Sequence, residues 1–397
     1  MIKIIAILDN AIGTGGGFDQ ALNAIVQMQR LSSNRFEFEV FTTQDGNVDF
    51  LNRLGIVAIT VKLSVFDRLI IKFSQNSWWQ SLQVRLKSTG PLEKKLIRHG
   101  CDVVYFVTPS NLSVVLQKLN YITTLWDLCH RENPEFPEVR IFNSFFMREK
   151  SYQHNLGPAL LTLTESGRLA DMASQYYGID RNRFLAMPLT PSPFIQCAQV
   201  NRPEEVLLRY GIKADYFYYP AQFWAHKNHI RILQALVILR DSHEWVPNVI
   251  FSGKDYGNLD HIQQFIKIHR MGSQVEILGF VPSEDIRGLY QNAMVVVMPT
   301  YFGPTNLPPL EAWSLGVPLI YSAQLAEQAG NAALLVDPDS PVELADAMLL
   351  CRKSEVREQL VSAGHQRLLD IADLRASAED ELCKVLDEFS ARRDCWE

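Results

Sequence analysis

Short apolar runs alternate with amphipathic stretches along most of the chain, and this alternation predicts strands and helices in turn. In the first half we predict strands at 4–8, 36–41, 103–107, 121–125 and 160–163. In the second half we predict strands at 216–219, 248–252, 275–278, 294–298, 317–321 and 333–336. Amphipathic segments between them, such as 18–31 and 229–240, have helical spacing. Strands that alternate with helices are typical of α/β domains with mostly parallel sheets.

The alternation stops in the middle of the chain. Residues 188–203 contain four prolines and no clear period, which is typical of a linker. We therefore predict a first domain at 1–190, a linker at 191–203, a second domain at 204–375 and a C-terminal helix at 376–397 that could return to the first domain. Ligands of parallel sheets bind beyond the carboxyl ends of the strands, so the cleft between two such domains is the expected site.

Composition and charge narrow the protein class. Of 397 residues, 47% are hydrophobic and 21% are charged, which excludes a disordered, collagen-like or coiled-coil chain. The formal net charge of −6 argues against a nucleic-acid partner. Six cysteines without C-x-x-C spacing exclude a disulfide scaffold and a zinc knuckle, and indicate a reducing cytoplasm.

The N-terminus does not resemble a signal peptide, and no apolar run approaches the ~20 residues that span a bilayer. We expect a cytoplasmic protein that could be peripheral on the inner face of the cell membrane. Residues 61–100 carry eight basic residues against two acidic ones, with apolar residues and Trp78 and Trp79 between them. This pattern predicts contact with an anionic membrane surface. Two alternatives for residues 61–100 are a surface helix that packs its apolar face on the core and a groove for an anionic lipid-linked acceptor.

A glycine cluster follows the first predicted strand and precedes a helix: Gly13, Gly15, Gly16 and Gly17. Such a loop lets backbone N–H groups approach an anion at the helix N-terminus. A dinucleotide site would also need an acidic residue at the end of the second strand, and this strand ends Phe41-Thr42-Thr43, which argues against NAD. A tight turn without a ligand is the alternative.

Two further strand-to-helix loops carry candidate chemistry. In PAQFWAHKNH, Lys227 could hold a phosphate, although a solvated lysine is the alternative. His226 and His229 have metal-ligand spacing, but no third ligand is near in sequence. In YFGPTNLPPLEAWSLGVPLI, Glu311 could accept hydrogen bonds from a ribose diol, although a helix-start glutamate favoured by the helix dipole is the alternative.

Taken together, the three loops resemble glycosyltransferase family 4, whose members have the GT-B fold of two Rossmann-like domains that face each other across an interdomain cleft. The family signature E-G-F-G-L-P-x-L-E-A-x-A-x-G-x-P corresponds here to GPTNLPPLEAWSLGVP, residues Gly303 to Pro318. The flanking stretches 279–300 and 331–348 are also similar. The resemblance covers essentially the whole chain and is strongest from Tyr218 to Met348.

The resemblance implies residue roles at matching positions. Lys227 would bind the donor diphosphate and Glu311 the nucleotide ribose. The other implied donor contacts are the glycine loop with Gly15, Gly16 and Gly17, backbone amides at Asn306 and Leu307, and base contacts at Phe280 and Val281. Asp127 matches the acid of the H-D-L motif, here W-D-L-C-H, and would be catalytic.

Three positions depart from the family pattern. Gly303 replaces the first glutamate of the E-x7-E pair, Trp126 replaces a histidine, and Gln222 replaces an arginine. His226 or the glycine loop could replace the missing cation, and His130 could replace the missing histidine as a catalytic residue. A subfamily of bacterial polysaccharide glycosyltransferases, some of them mannosyltransferases, shares this variant signature.

The resemblance implies a retaining glycosyltransferase that needs no metal or other cofactor. The expected reaction moves a hexose from a nucleotide diphosphate sugar, GDP-mannose by preference, to a glycan or lipid-linked acceptor in surface polysaccharide synthesis. Asp337-Pro338-Asp339 imitates a metal-binding D-x-D motif, but its position after a strand predicts a turn. A non-catalytic sugar-nucleotide-binding partner subunit and another GT-B enzyme, such as an epimerase or a phosphorylase, are the alternatives.

Overall fold

The computed structural model describes residues 1–12, 16–33, 35–73, 89–197, 203–213, 215–303 and 305–396, with only the backbone at 196 and 197. Gly15 of the glycine loop and the tryptophans Trp78 and Trp79 lie outside the described residues. Contacts between residues divide the chain into two compact units. Unit 1 comprises residues 1–128, 143–189 and 374–397, and unit 2 comprises residues 129–142 and 190–373.

Unit 1 is built on a seven-stranded parallel sheet in the order β3-β2-β1-β4-β5-β6-β7. Its strands are β1 (Lys3–Leu8), β2 (Glu37–Thr42), β3 (Ala58–Thr60), β4 (Val103–Phe106), β5 (Asn120–Leu125), β6 (Leu161–Thr164) and β7 (Phe184–Ala186). β1 and β4 are buried along almost their whole length, as expected for strands covered on both faces. Two clusters of buried residues lie around the sheet, one centred on Phe41, Phe106 and Tyr121, the other on Leu125 and Tyr152.

Helices connect the strands of unit 1. They are α1 (Gly16–Leu31), α2 (Gly46–Arg53), α3 (Val65–Phe73), α4 (Pro91–Arg98), α7 (Ser144–Asn155) and α8 (Gly167–Tyr177). Short 3-10 helices lie at Asn111–Val115 and Arg181–Arg183. Ser166 caps α8, because its hydroxyl accepts the Leu169 N–H, and Gly178 ends it in the left-handed conformation.

Unit 2 is built on a six-stranded parallel sheet in the order β10-β9-β8-β11-β12-β13. Its strands are β8 (Tyr216–Pro220), β9 (Asn248–Ser252), β10 (Val275–Ile277), β11 (Ala293–Met298), β12 (Leu319–Ser322) and β13 (Leu334–Val336). Its helices are α5 (Cys129–Glu132), α6 (Pro137–Arg140), α9 (Pro193–Cys197), α10 (Pro203–Tyr210), α11 (His229–His243), α12 (Leu259–Ile268), α13 (Ser283–Gln291), α14 (Leu307–Ser314), α15 (Ala326–Ala329) and α16 (Pro341–Leu350). Short 3-10 helices lie at Ile141–Asn143, Ala225–Lys227 and Ala323–Leu325.

The central strand β8 carries bulky aromatic side chains that are fully buried. Burial of a tyrosine hydroxyl is costly unless it is hydrogen-bonded, and each one here has a partner. Tyr216 donates to Leu289 O at 2.6 Å, Tyr218 pairs with Ser252 at 2.8 Å, and Tyr219 donates to Lys227 O at 2.9 Å. The strand is therefore fixed to its neighbours by side chains as well as by the backbone ladder.

The C-terminal part of the chain is one long helix, α17 (Ser354–Arg393), which begins well before the C-terminal helix predicted at 376–397. Residues before 374 belong to unit 2 and those from 374 onward to unit 1. Residues 129–142, assigned from sequence to the first domain, belong to unit 2. Within the described residues, no helix combines the length and the apolar character needed to cross a bilayer.

The α/β fold class with two Rossmann-like domains is confirmed, and each predicted strand is present with small shifts at its ends. The hydrophobic pattern did not predict β3 and β7, which are three-residue strands at the two edges of the first sheet.

A histidine lies in the aromatic core of unit 2. His229 is fully buried beside Tyr219, Phe223 and Phe251, at ring-centroid distances of 4.7, 4.9 and 5.0 Å. Among the described residues, neither ring nitrogen has a partner at hydrogen-bonding geometry. Burial, with a smaller contribution from Lys227, lowers the pKa of His229 to about 3. The ring is therefore neutral in the folded protein and is part of the core.

We expect His229 to make unit 2 sensitive to acid. The unfolded imidazole has a pKa of about 6.5, so below that pH the unfolded chain binds a proton that the folded chain does not. Stability should then fall as the pH drops from 6.5 toward 3, by about 2 kcal/mol at pH 5 from this residue alone. Urea unfolding at pH 7.5 and pH 5.0 measures the effect in the wild type and in His229→Phe.

The variant should lose about 2 kcal/mol less than the wild type on acidification. His261→Phe is the control, because His261 is exposed on α12 and should leave the pH dependence unchanged. Identical pH dependence in the wild type and His229→Phe would show that the buried imidazole does not titrate as described.

Candidate functional site

The order of strands in unit 2 places a crevice between β8 and β11. β8 is followed in sequence by β9 on one side of the sheet, whereas its neighbour β11 is followed by β12 on the other. The chain therefore leaves the carboxyl ends of the two strands in opposite directions, which opens the position where open α/β sheets bind ligands. Lys227 follows β8, and Asn306 follows β11.

Lys227 lies at this crevice and contacts Asn306. Its Nζ donates to Asn306 Oδ1 at 3.2 Å, and its backbone carbonyl is held by the Tyr219 hydroxyl. The next residue, Asn228, is left-handed with φ +58° and donates to Pro299 O at 3.0 Å and Pro338 O at 2.8 Å. The turn that presents the ammonium group is therefore fixed from both sides.

Asn306 is the centre of a buried hydrogen-bond network. Its Nδ2 donates to Gly303 O at 3.0 Å and to the Tyr321 hydroxyl at 2.8 Å, which leaves Oδ1 to face Lys227. Gln328 accepts from the Asn306 backbone N–H at 2.9 Å and donates to the Asn306 carbonyl at 2.7 Å. The side-chain orientation is therefore determined by three separate segments of unit 2.

The network corrects the expectation that the Asn306 backbone amide is available to a ligand, because Gln328 occupies it. Asn306 is the capping residue of α14, and the next positions are Leu307, Pro308 and Pro309. Proline has no N–H, so two of the four unpaired donors of a helix start are missing here. Leu307 is therefore the remaining backbone donor of this turn among the described residues.

Gly303 adopts a backbone conformation that favours glycine. Its φ is +113°, and a Cβ there would lie 2.9 Å from Asn306 Oδ1. A glutamate at this position would strain the backbone and push on the side chain that Lys227 contacts. The departure from the E-x7-E pattern is therefore accompanied by a loop conformation that a glutamate would strain.

Glu311 is buried, and its Oε2 accepts from the Tyr290 hydroxyl at 2.7 Å. It is the fifth residue of α14, beyond the first turn, so stabilisation by the helix dipole does not explain it. Burial and the neighbouring Glu311 hold the pKa of Tyr290 well above its usual range, so the phenol stays protonated and donates. A carboxylate has about four acceptor sites, so this bond is compatible with further acceptance from a ligand.

His226 is paired with an acid, which weakens its candidacy as a replacement diphosphate cation. Its Nδ1 and its backbone N–H both contact Glu138 Oε1, and its ring stacks on Phe302 at 4.0 Å between centroids. Burial by itself raises the pKa of Glu138, but the hydrogen bonds and charge of His226 outweigh it, and the net direction is down. The pair fixes residues 129–142 of unit 2 beside the β8 loop.

The remaining predicted donor residues have distinct environments. The Gln222 side chain accepts the backbone N–H of Lys254 and so links the loop after β8 to the loop after β9. Phe280 is 57% exposed, and the Lys254 ammonium lies 4.7 Å from its ring centroid. Val281 is buried, so Phe280 rather than Val281 offers an exposed side chain to a ligand.

The predicted residues of unit 1 are not all accessible. Gly16 and Gly17 begin α1, and a Cβ at Gly17 would lie 3.0 Å from the Trp126 ring. Asp127 forms an ion pair with Arg148. Although burial lowers it, the pKa of Arg148 is raised by Asp127 and Tyr152, so the guanidinium stays charged. His130 is fully buried and belongs to unit 2, so the structure does not support it as the replacement for the missing histidine.

The segment Asp337-Pro338-Asp339, whose sequence resembles a metal-binding D-x-D motif, forms a turn in the structure. Asp339 accepts from the Tyr301 hydroxyl at 2.6 Å and from Arg231 at 3.3 Å, and Arg231 also donates to Pro338 O. Across the described ranges, no three histidine, cysteine or acidic side chains are grouped as metal ligands would be. His229 is a core residue, so the His226–His229 spacing does not form a ligand pair.

Sequence reasoning missed the residues that position the site. They are Tyr290, Tyr321, Gln328, Glu138 and Arg148. Each one lies well away in sequence from the residue it holds, and its role depends on strand order rather than on a local motif. The apolar context of Tyr290 and Tyr321 carried the only sequence signal, since a buried phenol needs a hydrogen-bond partner.

The part of the chain that forms this site is similar to known proteins. Residues 214–353 match the family model described as glycosyl transferases group 1. The chain is 28% identical over 222 residues to O-antigen chain mannosyltransferase B of Escherichia coli, an alignment that covers 55% of this chain and 57% of that protein. It is 25% identical over 299 residues to O-antigen chain mannosyltransferase RfbU of Salmonella typhimurium, covering 74% and 76%.

Solved structures share the fold at low sequence identity. A glycosyltransferase from Rickettsia africae superposes with a TM-score of 0.71 at 14% identity, covering 97% of this chain and 98% of the other. Anabaena HepE, solved in complex with UDP-glucose, superposes with a TM-score of 0.69 at 16% identity, covering 97% and 100%. These superpositions show that the chain shares the fold of these structures, the GT-B fold with two Rossmann-like domains, and residues 214–353 are the part that is similar to glycosyl transferases group 1.

Proposed function

We propose that the protein transfers a hexose, with mannose from GDP-mannose as the first choice, from a nucleotide diphosphate sugar to a glycan or lipid-linked acceptor, with retention of configuration. The observation that carries the proposal is the contact between Lys227 and Asn306 at the β8–β11 crevice. The sugar-diphosphate bond must break with negative charge growing on the leaving phosphate. A fixed cation beside that position stabilises the charge as it develops.

The donor would bind with its diphosphate against Lys227 and the Leu307 amide. Asn306 orients the ammonium group, because the network around it fixes Oδ1 in place. Glu311, held by Tyr290, would accept the ribose hydroxyls, and the exposed ring of Phe280 would support the base. The Gly303 conformation would alter how the loop meets the sugar, which is the part of the donor that the missing glutamate contacts in the family.

Mannose is favoured by the matched relatives, since both O-antigen proteins are described as mannosyltransferases. The structural neighbour with UDP-glucose favours a different base and sugar, so both donors belong in the first assay. Among the described residues of the β8–β11 crevice, we assign no side chain as a covalent nucleophile. We therefore propose attack on the same face as the leaving group, with the leaving phosphate accepting the proton of the acceptor hydroxyl.

Peripheral membrane contact is supported by the outer face of α3 and α4 in unit 1. The two acids of this segment are turned inward: Asp67 accepts from Ser64 and from Leu92 N, and Glu93 accepts three backbone N–H groups at 2.6–3.0 Å. The exposed residues of α3 and α4 are basic or apolar: Val65, Phe66, Arg68, Leu69, Lys72, Pro91, Lys94, Ile97 and Arg98. Lys62, before α3, is paired with the exposed Asp45 at 3.6 Å. Burial of the acids leaves a cationic, partly apolar surface that suits an anionic lipid layer.

Removing the Lys227 ammonium should slow transfer strongly. We expect Lys227→Ala to lower turnover by about 10²–10³-fold, because loss of one preorganised transition-state donor costs about 3–4 kcal/mol. The assay measures transfer or hydrolysis of radiolabelled GDP-mannose and UDP-glucose. Lys267→Ala is the matched control, because Lys267 is an exposed lysine of the same unit. A Lys227→Ala variant that keeps more than about a third of wild-type turnover would contradict the assignment of Lys227. Nucleotide affinity without turnover in the wild type would instead identify a non-catalytic binding subunit.

Glu311→Gln should weaken nucleotide binding by about 1.5–3 kcal/mol, the range for a hydrogen bond to a charged group. Glutamine keeps an acceptor for Tyr290, whereas alanine would leave a buried phenol unsatisfied and would also destabilise the fold. Calorimetry with GDP and UDP measures the affinity. Glu284→Gln, an exposed first-turn glutamate of α13, should bind as the wild type does. Unchanged affinity in Glu311→Gln would leave this residue with a structural role alone.

The α3 face should bind anionic vesicles in a salt-sensitive way. Each basic residue near an anionic surface contributes about 1 kcal/mol, so Arg68→Glu with Lys72→Glu should weaken binding to phosphatidylglycerol vesicles at least tenfold. Lys267→Glu with Lys353→Glu, on unit 2, is the charge-matched control. Co-sedimentation decides the matter, and equal binding to neutral and anionic vesicles at low salt would refute the electrostatic contact.

A further inference from the structure

His226 contacts segments of unit 2 that lie far apart in sequence. It belongs to the short 3-10 helix Ala225–Lys227, which follows β8, and it directly precedes Lys227. Its side chain contacts Phe136 and Glu138, and its backbone carbonyl contacts the loop after β11. Residues 129–142 belong to unit 2, so all these contacts lie within one compact unit. A change at His226 therefore affects both loops that border the crevice.

A carboxylate on α6 holds the imidazole of His226. Glu138 Oε1 contacts the ring Nδ1 and also accepts the His226 backbone N–H at 3.1 Å. The His226 and Glu138 side chains are only 12% and 11% exposed, so water competes little for this contact. Although burial opposes it, His226 lowers the pKa of Glu138, which therefore stays ionised near neutral pH. An ionised carboxylate only accepts hydrogen bonds, so Nδ1 carries a proton and the ring orientation is fixed.

Aromatic rings pack against the same imidazole. The ring of Phe302 stacks on that of His226, with centroids 4.0 Å apart and an angle of 14° between the ring planes. Phe136 lies edge-on to both rings, at 6.5 Å from His226 and 5.2 Å from Phe302. Its ring also lies 5.2 Å from that of Tyr301. Aromatic contacts of this kind add to the energy of burial and favour particular ring orientations. The residue before α6 therefore packs on the loop after β11 beside His226.

The backbone carbonyl of His226 fixes the start of the loop after β11. It accepts the Tyr301 N–H at 3.0 Å and the Thr300 hydroxyl at 3.2 Å. Asn306 fixes the other end of this loop through its own hydrogen bonds. The loop is therefore attached at one end to the residue before Lys227 and at the other to the residue that Lys227 contacts. The Lys227–Asn306 distance of 3.2 Å depends on both attachments.

We propose that His226 and Glu138 form a positioning pair for the Lys227 ammonium group. The pair aligns that group with Asn306, and neither member binds the donor. His226 acts through the backbone of Lys227 and through residues 300–302, whereas Glu138 acts through His226. The inference rests on the proposed function for the reaction that Lys227 serves, but the placement of the two loops can be measured without a reaction. Direct contact of His226 with the donor diphosphate is the alternative.

A positioning pair and a donor-binding pair differ in their kinetic effects. Lys227 stabilises charge that develops as the sugar-diphosphate bond breaks, so misplacing it lowers kcat more than it weakens binding of the ground state. We expect Glu138→Ala to lower kcat by about tenfold or more, with a change of less than about threefold in the dissociation constants of GDP and UDP. Glu138→Gln keeps an acceptor for the Nδ1 proton and should recover part of the lost kcat.

A double variant tests whether the two residues act as a unit. His226→Phe keeps a ring that stacks on Phe302 but loses the hydrogen bond to Glu138. Because Glu138 acts through His226, the combination of Glu138→Ala with His226→Phe should lower kcat no further than the more affected single variant does. Should Glu138→Ala misfold, His226→Asn replaces it, because asparagine keeps a donor for Glu138 and should retain more of the wild-type kcat than His226→Phe.

The measurements use the full-length protein. Steady-state kinetics with GDP-mannose and UDP-glucose give kcat and KM, and calorimetry with GDP and UDP gives the affinities. Glu135→Ala is the matched control, because Glu135 is an exposed glutamate of the same segment 129–142 and should leave kcat unchanged. Unchanged nucleotide affinity also shows that a variant is folded.

Three results would overturn the proposal: wild-type kcat in Glu138→Ala, parallel losses of kcat and nucleotide affinity, or additive losses in the double variant. Failure of the proposed function is distinguishable from these. If the wild type turns over neither donor, amide hydrogen exchange without nucleotide decides the role of the pair. Glu138→Ala should then speed exchange in the loops 222–228 and 301–307, whereas Glu135→Ala should not, and equal exchange in both variants would refute the pair.

Discussion

The hydrogen-bond network around Asn306 is the constraint on which the site of unit 2 depends. The chain leaves the carboxyl ends of β8 and β11 in opposite directions, which creates a crevice. The crevice alone does not orient the Lys227 ammonium group. The Asn306 side-chain amide donates to Gly303 O and the Tyr321 hydroxyl, so that its oxygen faces Lys227, while Gln328 holds the Asn306 backbone. The same network occupies the Asn306 backbone N–H and requires the unusual backbone at Gly303. The orientation of the Lys227 ammonium group and the backbone conformation at Gly303 therefore both depend on Asn306.

Pairing of buried charges recurs in both units and determines which groups face solvent. Asp67 and Glu93 are satisfied by backbone N–H groups, so the α3–α4 face presents cations and apolar side chains. Glu138 pairs with His226, Asp127 with Arg148, and Glu379 with Arg375, so these charges are compensated within their own units. A buried ion pair needs such compensation because desolvation of a lone charge is costly.

The strand pattern was predictable because buried parallel strands are continuous apolar runs, and the two omissions, β3 and β7, are three-residue edge strands too short to show one. Motif spacing also located Lys227, Asn306 and Glu311. Spacing could not show that Gln328 accepts the Asn306 backbone N–H, that the Tyr290 hydroxyl donates to Glu311, or that His130 is buried. These facts depend on which distant segments meet, and local sequence does not encode that. The position of residues 129–142 in unit 2 was hidden for the same reason.

Binding of a nucleoside diphosphate at the β8–β11 crevice is tested most directly by amide hydrogen exchange with and without GDP or UDP. A ligand that binds the folded state slows exchange where it suppresses local opening. We predict slower exchange on nucleotide binding in the loops 222–228 and 301–307, with the Leu307 amide among the protected positions. Nucleotide binding that leaves both loops unprotected while slowing exchange elsewhere would contradict the account.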